Sequence, residues 1–240
     1  MSMGDASVAS FPESAIPENI ALFNTDHILI NTTVSNRYLI KELSPVFIYS
    51  TIPLKKQSVF TAGIGRVGGQ QFSEQFGELG FAKLLGKKIT AGIKIQYHQW
   101  HVNDTYYYNS NAIIPEICIY ANPLRNISFG ALIRNPVRFR MNAIDKPLPV
   151  TIHSGLAIRV SEKISLACSV IQQSDLPLSF QTGLEYALFT KIFIRFGCRS
   201  LPLSQSFGFG VKLTNWKLDV AYRTEPVLGN SSSITLTYLL

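Results

Sequence analysis

The sequence has 240 residues, of which 46% are hydrophobic and only 15% are charged, against about 25% charged in ordinary soluble domains. No run approaches the roughly 18 consecutive apolar residues of a membrane-spanning helix. The formal charge of +7 comes from basic residues scattered along the chain, whereas a nucleic-acid-binding protein concentrates them on one stripe or face. These features exclude a helical membrane protein and a nucleic-acid partner, and they leave a soluble β protein or a membrane β-barrel.

The first 24 residues are set apart from the strands that follow. They contain no charged segment followed by an apolar run, which is the pattern of a signal peptide. We therefore expect an exported protein in mature or truncated form, divided into an N-terminal plug segment, residues 1–24, and an outer-membrane β-barrel, residues 25–240.

From residue 28 onward, apolar and polar residues alternate in segments separated by turn formers. In residues 89–100 (ITAGIKIQYHQW) the odd positions are apolar as far as Tyr97, and the even positions are small or polar as far as His98. Alternate side chains of a strand point to opposite faces. The short links predict antiparallel hairpins. In chain order the predicted strands are 28–36, 45–54, 58–68, 75–85, 89–100, 112–121, 127–134, 150–160, 164–171, 178–188, 191–199, 207–214, 216–223 and 234–240.

The composition of the two strand faces separates a soluble sandwich from a membrane barrel. The polar face is mostly Gly, Ser, Thr and Gln with a few charges of both signs, which suits a confined, water-containing lumen better than an open surface. Large aromatic residues gather near strand ends, at Tyr97, Trp100, 106–108, Trp216 and Tyr222, as in an interfacial girdle. The sequence therefore predicts an all-β protein, an antiparallel transmembrane barrel of about 14 strands in the bacterial outer membrane. Its lipid-facing residues include Leu184, Phe196, Phe209 and Leu218.

Catalysis and metal binding find no support in the sequence. The G-x-S-x-G, H-E-x-x-H and P-loop motifs are missing. His98 and His101 fall on opposite faces of their strand, and Cys118, Cys168 and Cys198 have no zinc-ligand spacing. We expect no cofactor, no metal and no enzymatic activity. The alternative is a barrel hydrolase with Ser and His on its outer wall.

Three segments resemble PorV/PorQ-type outer-membrane proteins of Bacteroidetes, which are FadL-like barrels. The opening SMGDASVAS (2–10), followed by AIPENIALFN (15–24), is similar to the start of those mature proteins. The hairpin ELGFAKLLGKKITAGIKIQY (78–97) resembles the family's "aYaxxLgxxxsvGvxlky" hairpin, and GIGRVGG (63–69) lies where the family has a Gly-rich strand.

The resemblance implies a 14-stranded FadL-like barrel with the N-terminal segment in or against its lumen. It also implies a docking or accessory subunit of a larger outer-membrane export complex, as in type IX secretion. Outer-membrane lipid, that complex and exported proteins would then be the partners. The alternative is a FadL-like channel for the uptake of hydrophobic small molecules.

The candidate site residues are the charges expected to face the lumen. The basic residues are Lys94, Arg134, Arg159, Arg195, Lys212 and Arg223, and the acidic residues are Glu116, Glu185 and Asp219. Glu185 and Arg195 lie on consecutive predicted strands and are expected to pair. An acidic N-terminal segment with Asp5, Glu13 and Glu18 is attracted to a basic lumen, where each ion pair is stronger than at a surface. We therefore expect residues 2–20 to be ordered inside the barrel and to block it.

Overall fold

The computed structural model describes residues 1–10, 18–22, 25–103, 109–140 and 147–240. No helix in these ranges is long and apolar enough to cross a membrane. Two short 3-10 helices lie at Ile20–Leu22 and Lys41–Leu43. The strands are β1 (Leu29–Asn36), β2 (Val46–Leu54), β3 (Ser58–Gly68), β4 (Phe72–Leu84), β5 (Ile89–Val102), β6 (Ser110–Leu124), β7 (Ile127–Arg134), β8 (Thr151–Arg159), β9 (Ile164–Gln173), β10 (Ser179–Phe189), β11 (Ile192–Arg199), β12 (Ser204–Lys212), β13 (Trp216–Glu225) and β14 (Gly229–Leu239).

The strands form one closed antiparallel barrel in which each strand pairs with its neighbours in sequence. The barrel closes between β1 and β14, in a register that runs from Leu29↔Leu239 to Asn36↔Ser232. Closure leaves no unpaired strand edge, which is the condition for a β-sheet to lie in lipid. The predicted barrel and its strand number are therefore confirmed. The clearest difference is in length: β14 begins at Gly229 instead of residue 234, because its polar residues 229–233 continue the ladder with β13, and β4 and β6 also begin earlier than predicted.

A continuous apolar belt covers the outside of the barrel. Phe196, Phe209 and Leu218 are exposed on it as predicted, and Leu184 lies half-buried on the same face. A soluble monomer rarely exposes more than a few hundred Å² of contiguous apolar surface, so the belt faces lipid, in agreement with the predicted outer membrane. Each strand contributes at least one exposed apolar residue: Ile30, Ile48, Ile64, Leu79, Ile93, Ile117, Phe129, Ile152, Leu166, Phe180, Phe196, Phe209, Leu218 and Ile234.

The two ends of the barrel differ in the length of their connections. At one end, which we call the short-turn end, lie the start of β1, the end of β14 and the tight links 55–57, 85–88, 125–126, 160–163, 190–191 and 213–215. The opposite end, the loop end, has the longer connections 37–45, 103–109 and 135–150. In outer-membrane barrels short turns face the periplasm and longer loops face the outside, which orients this barrel.

The predicted aromatic girdle is correct at some positions and wrong at one. Tyr97, Trp216 and Tyr222 are exposed on the outer surface. Trp100 instead points into the barrel, because it shares the even-numbered, inward face of β5 with His98 and stacks on that ring. Residues 106–108 lie outside the described part of the chain.

Candidate functional site

The N-terminal segment crosses the barrel interior. Glycines on the inner wall make room for it, since a side chain at these positions would collide with its backbone. A Cβ on Gly197 in β11 would lie 2.0 Å from the Gly4 nitrogen, and one on Gly130 in β7 would lie 1.9 Å from the Val8 oxygen. Residues 1–10 thus follow the wall from β12 to β7, and residues 18–22 continue along β6, β5 and β4.

Hydrogen bonds hold the described parts of this segment to the wall. The Gly4 N–H donates to Ser206 Oγ (2.9 Å), and Ser128 Oγ donates to the Ala9 carbonyl (2.8 Å). Asn19 is fully buried and its Nδ2 donates to two carbonyls, of Val8 and of Ile119, each at 3.0 Å. A short segment without a core of its own is therefore ordered by the barrel wall.

Asp5 is the charged contact of the segment near the loop end. Its carboxylate lies 2.5 Å from Arg223 Nη2 and 3.4 Å from Arg199 Nη1. Burial opposes ionisation of this carboxyl, but the amino group of Met1 and the guanidinium groups of Arg223 and Arg199 outweigh it. Together they lower the pKa of Asp5 to about 2. Asp5 is therefore an anion at physiological pH, paired with two wall arginines.

Glu18 joins the segment to a second group of charges on the opposite wall. Its carboxylate lies 2.9 Å from His153 Nδ1 and 3.4 Å from Arg134 Nη2. Burial opposes its ionisation, yet the hydrogen bond from His153 and the charges of His153 and Arg134 lower the pKa of Glu18. The predicted residue Glu116 is buried between Arg134 (2.9 Å) and Lys94 (3.0 Å). Four predicted lumen residues, Glu18, Arg134, Glu116 and Lys94, thus form one connected network.

A third charge cluster lies across β10, β11 and β13. Arg195 Nε donates to Glu185 Oε2 at 2.6 Å, and Arg195 Nη1 donates to Asp219 Oδ1. Asp219 reaches Arg195 across β12 because Gly210 lies between them, where a Cβ would be 2.7 Å from Asp219 Oδ1. All three charged side chains are buried. Such a cluster is sensitive to the loss of one member, since the remaining charges stay buried without compensation.

The other predicted lumen residues lie nearer the ends of the barrel. Arg159 and Lys212 are the last residues of β8 and β12, at the short-turn end. Glu13 lies outside the described residues.

The sequence analysis missed several inward-facing charges. Glu74, Glu78, Glu225 and Arg199 face the interior, and the three glutamates reduce the expected basic excess. The inward orientation of Glu74 and Glu78 was predictable from the sequence, because they lie on the same even-numbered face of β4 as the small residues Gly80 and Ala82.

An apolar surface inside the barrel was not predicted. We call it the aromatic row: Tyr49 and Phe47 on β2, Phe76 on β4, and His98 and Trp100 on β5. Successive ring centroids along the row lie 5.8, 5.4, 5.6 and 5.5 Å apart, and the rings from Phe47 to Trp100 are stacked. Gly63 and Gly65 face inward beneath the rings of Phe47, Tyr49 and Phe76. The five residues come from three strands, so the row becomes visible only when the strands are paired.

A cavity inside the barrel adjoins the aromatic row. A vestibule of about 580 Å³ opens at the loop end and is lined by residues that include Asp5, Glu74, Arg199 and Arg223. Glu74 also contacts His98 Nδ1 at 2.7 Å, which links the vestibule to the row.

On the outside of the same strands, a groove of about 570 Å³ has the small residues Ser50, Ala62 and Gly77 between larger apolar ones. Hydrogen-bonded pairing around the described strands is unbroken, so no gap joins the groove to the lumen.

Histidine and cysteine residues form no second site in the described residues. No group of three His, Cys, Asp or Glu side chains there could hold a metal ion. His101 is exposed while His98 faces inward. Cys118 is buried beside the N-terminal segment, whereas Cys168 and Cys198 are exposed on the outer wall, and all three are free thiols.

Among the comparisons with known proteins, the one with solved structures identifies the fold. No family model matches the sequence, and no curated protein matches it. The structure is similar to the toluene transporter TodX of P. putida, with a TM-score of 0.70 and 11% identity over 93% of each chain. It is also similar to a Pseudomonas aeruginosa FadL homologue (TM-score 0.65, 11% identity, 99% of this chain and 96% of that one). A third similar structure is the Ralstonia pickettii toluene transporter TbuX (TM-score 0.64, 12% identity, 92% and 91%).

These similarities support the FadL-like fold in the predicted resemblance, but not its PorV/PorQ-type assignment. The fold is that of FadL-like outer-membrane barrels, which confirms the predicted fold class. The structures named are transporters and a FadL homologue, and none of them supports the PorV/PorQ-type assignment or a link to type IX secretion.

Proposed function

We propose that the protein is a non-enzymatic outer-membrane channel for the uptake of small apolar molecules. This is the alternative role predicted from the sequence, and it is preferred here to the docking role. The observation that carries the proposal is the aromatic row, a continuous set of rings on the inner wall of β2, β4 and β5.

The chemistry of the row fits a flat apolar solute. Stacked rings of Phe47, Phe76, His98 and Trp100 offer faces and edges to which another ring can pack with centroid separations of 4.5–7 Å. The row begins at the vestibule, where Glu74 meets His98, and ends at the buried ring of Tyr49. A solute that enters from the loop end would therefore pass through the vestibule and then leave water by packing against these rings.

The N-terminal segment gives the proposed channel its closed state. Residues 1–10 and 18–22 lie across the lumen from β12 to β4 and are fixed by hydrogen bonds and ion pairs. Water and ions are excluded by such a segment, whereas a solute held on the aromatic row needs only a local rearrangement to pass. TodX and TbuX are toluene transporters, and a monoaromatic hydrocarbon is the natural first probe here.

Docking to a larger membrane complex is the second candidate. The observations that favour it are the occupied lumen and the unbroken strand pairing in the described part of the barrel, which a subunit without transport function would also have. In that role, the protein would receive exported proteins or hold a partner barrel through its outer wall.

Fluorescence of Trp100 tests the channel proposal. The chain has two tryptophans, so Trp216→Phe leaves Trp100, in the aromatic row, as the single reporter. Titration with naphthalene in detergent should change its emission saturably, and Phe76→Ala should weaken the apparent affinity at least about tenfold, since a buried aromatic contact contributes roughly 1.5 kcal/mol or more.

The matched control is Phe129→Ala on the outer wall, which should leave the titration unchanged. A linear response without saturation would contradict the proposal. Gentle purification followed by mass spectrometry separates the two candidates, because a docking subunit should be recovered with a stoichiometric protein partner and a channel should be recovered alone with bound apolar molecules.

A further inference from the structure

The short-turn end carries a ring of positive charge. We call it the basic collar: Lys55, Lys56, Lys87, Lys88, Arg125, Lys163 and Lys191, all exposed. Five of the six short turns contain a member of this collar, and the sixth turn, residues 213–215, is flanked by Lys212 and Lys217. Among the described residues the exposed acidic side chains at this end are Asp26 and Glu162.

The opposite end has a different distribution. Its connections 69–71, 200–203 and 226–228 contain no charged residue, and Asp175 is the charged residue of the link 174–178. The described loop 37–45 mixes Arg37 and Lys41 with Glu42, and the described part of the connection 135–150 contains Arg138 and Arg140. A basic residue in almost every connection is therefore found at the short-turn end and not at the loop end.

The collar lies at the border of the lipid-facing belt. Exposed apolar residues occur at the same turns, with Leu54 beside Lys55, Leu124 beside Arg125 and Phe189 close to Lys191. Trp216, exposed at this end, is of the residue type that prefers the membrane interface. Long basic side chains keep their stems on apolar surface and extend their charge to the interface, so the collar reaches the depth of lipid headgroups.

We propose that the basic collar binds anionic phospholipid headgroups, of the phosphatidylglycerol type, in the leaflet at the short-turn end. A headgroup phosphate carries the negative charge that complements lysine, and each basic residue near an anionic membrane surface raises affinity by about fivefold. The charges are distributed around the circumference of the barrel, beside lipid-facing residues. An acidic protein would instead need them together on one face.

Trp216 allows the proposal to be measured at the collar itself. The full-length Trp100→Phe variant is reconstituted into vesicles of phosphatidylcholine with an equal fraction of either brominated phosphatidylglycerol or brominated phosphatidylcholine. Bromine quenches tryptophan only at close range, so the ratio of the two quenching efficiencies reports the local lipid preference. We expect phosphatidylglycerol to be preferred about threefold or more at low salt, and the preference to fall in 0.5 M NaCl because salt screens exposed charges.

Two variant pairs complete the test. Lys163→Gln with Lys191→Gln removes the collar charges on the short turns 160–163 and 190–191, which come before the turn next to Trp216, and the preference should fall. Arg66→Gln with Arg138→Gln changes two exposed basic residues at the loop end and should leave the preference unchanged. Equal quenching by the two lipids in the otherwise unmodified protein would overturn the proposal. A preference that survives removal of the collar charges would also overturn it.

Discussion

Gly130 offers a direct way to displace the N-terminal segment without shortening the chain. A Cβ at this inward position of β7 would lie 1.9 Å from the Val8 oxygen, whereas real Cβ contacts are essentially never shorter than 3.0 Å. Gly130→Val therefore requires the segment to move by at least 1.1 Å (3.0 − 1.9 Å) at Val8. We expect the variant to fold as a barrel whose lumen is partly open.

The size of the effect follows from the contacts that such a movement breaks. The Val8 carbonyl accepts a hydrogen bond from Asn19, and the next carbonyl, of Ala9, accepts one from Ser128. Each bond contributes about 1 kcal/mol, and exposing the fully buried Val8 side chain costs roughly 1.5 kcal/mol or more. The total of about 3–4 kcal/mol corresponds to more than a hundredfold change in the ratio of docked to displaced segment.

Conductance in planar lipid bilayers measures this change. The unmodified protein should show low conductance, and Gly130→Val should raise it several-fold in barrels that still pass a heat-modifiability assay for folding. Gly77→Val is the matched control, because Gly77 lies in the same kind of strand but faces outward, with its nearest neighbour, Gly63 O, 3.8 Å from a Cβ. A folded Gly130→Val barrel with the conductance of the unmodified protein would refute the view that residues 1–10 close the lumen.

Two further predictions concern charge. Arg195→Met leaves the buried Glu185 and Asp219 without their shared partner, and it should lower the free energy of unfolding in urea by about 3–5 kcal/mol. Arg66→Met on the exposed surface should change it by less than about 1 kcal/mol; equal losses would contradict the buried cluster. Because the pKa of Asp5 is lowered to about 2, its ion pairs stabilise the docked segment above the ordinary carboxyl pKa and are lost as the pH falls toward 2. Protease protection of residues 1–10 should therefore be equal at pH 7 and pH 5, and loss of protection already at pH 5 would show that Asp5 does not hold the segment.

Alternation in the sequence was sufficient to predict the barrel. In β5 and β10–β13 a large apolar residue is followed by a small or polar one, except at Phe189 and around Phe193, and a strand has only two faces. Once closure is assumed, the inward position of Lys94, Glu116, Arg195 and Asp219 follows from the same period. Partners on adjacent strands, such as Glu185 and Arg195, are predictable for the same reason.

Contacts across the lumen could not be predicted in this way. Glu18 meets His153, and Asp5 meets Arg223, because the segment crosses the barrel along a path set by close packing against Gly130 and Gly197. No periodicity in the sequence encodes such a path.

The aromatic row was missed for a related reason. Its members come from three strands and are brought side by side by the registers Phe47↔Gly65, Gly65↔Phe76 and Phe76↔His98. Trp100 was assigned to the outer girdle because it lies near a strand end, whereas its even-numbered position in β5 places it on the inward face. Register, which the turns and the ladder fix jointly, was the missing information.

Uptake of a monoaromatic hydrocarbon by whole cells tests the proposed function most directly. The protein is expressed in a bacterial host that lacks outer-membrane channels of this kind, and the initial rate of uptake of radiolabelled toluene is compared with that of cells carrying the Phe47→Ala, Phe76→Ala variant at equal surface abundance. The channel proposal predicts a clear increase in uptake with the unmodified protein and a return toward the background rate with the variant. Equal rates in cells with and without the unmodified protein would contradict it.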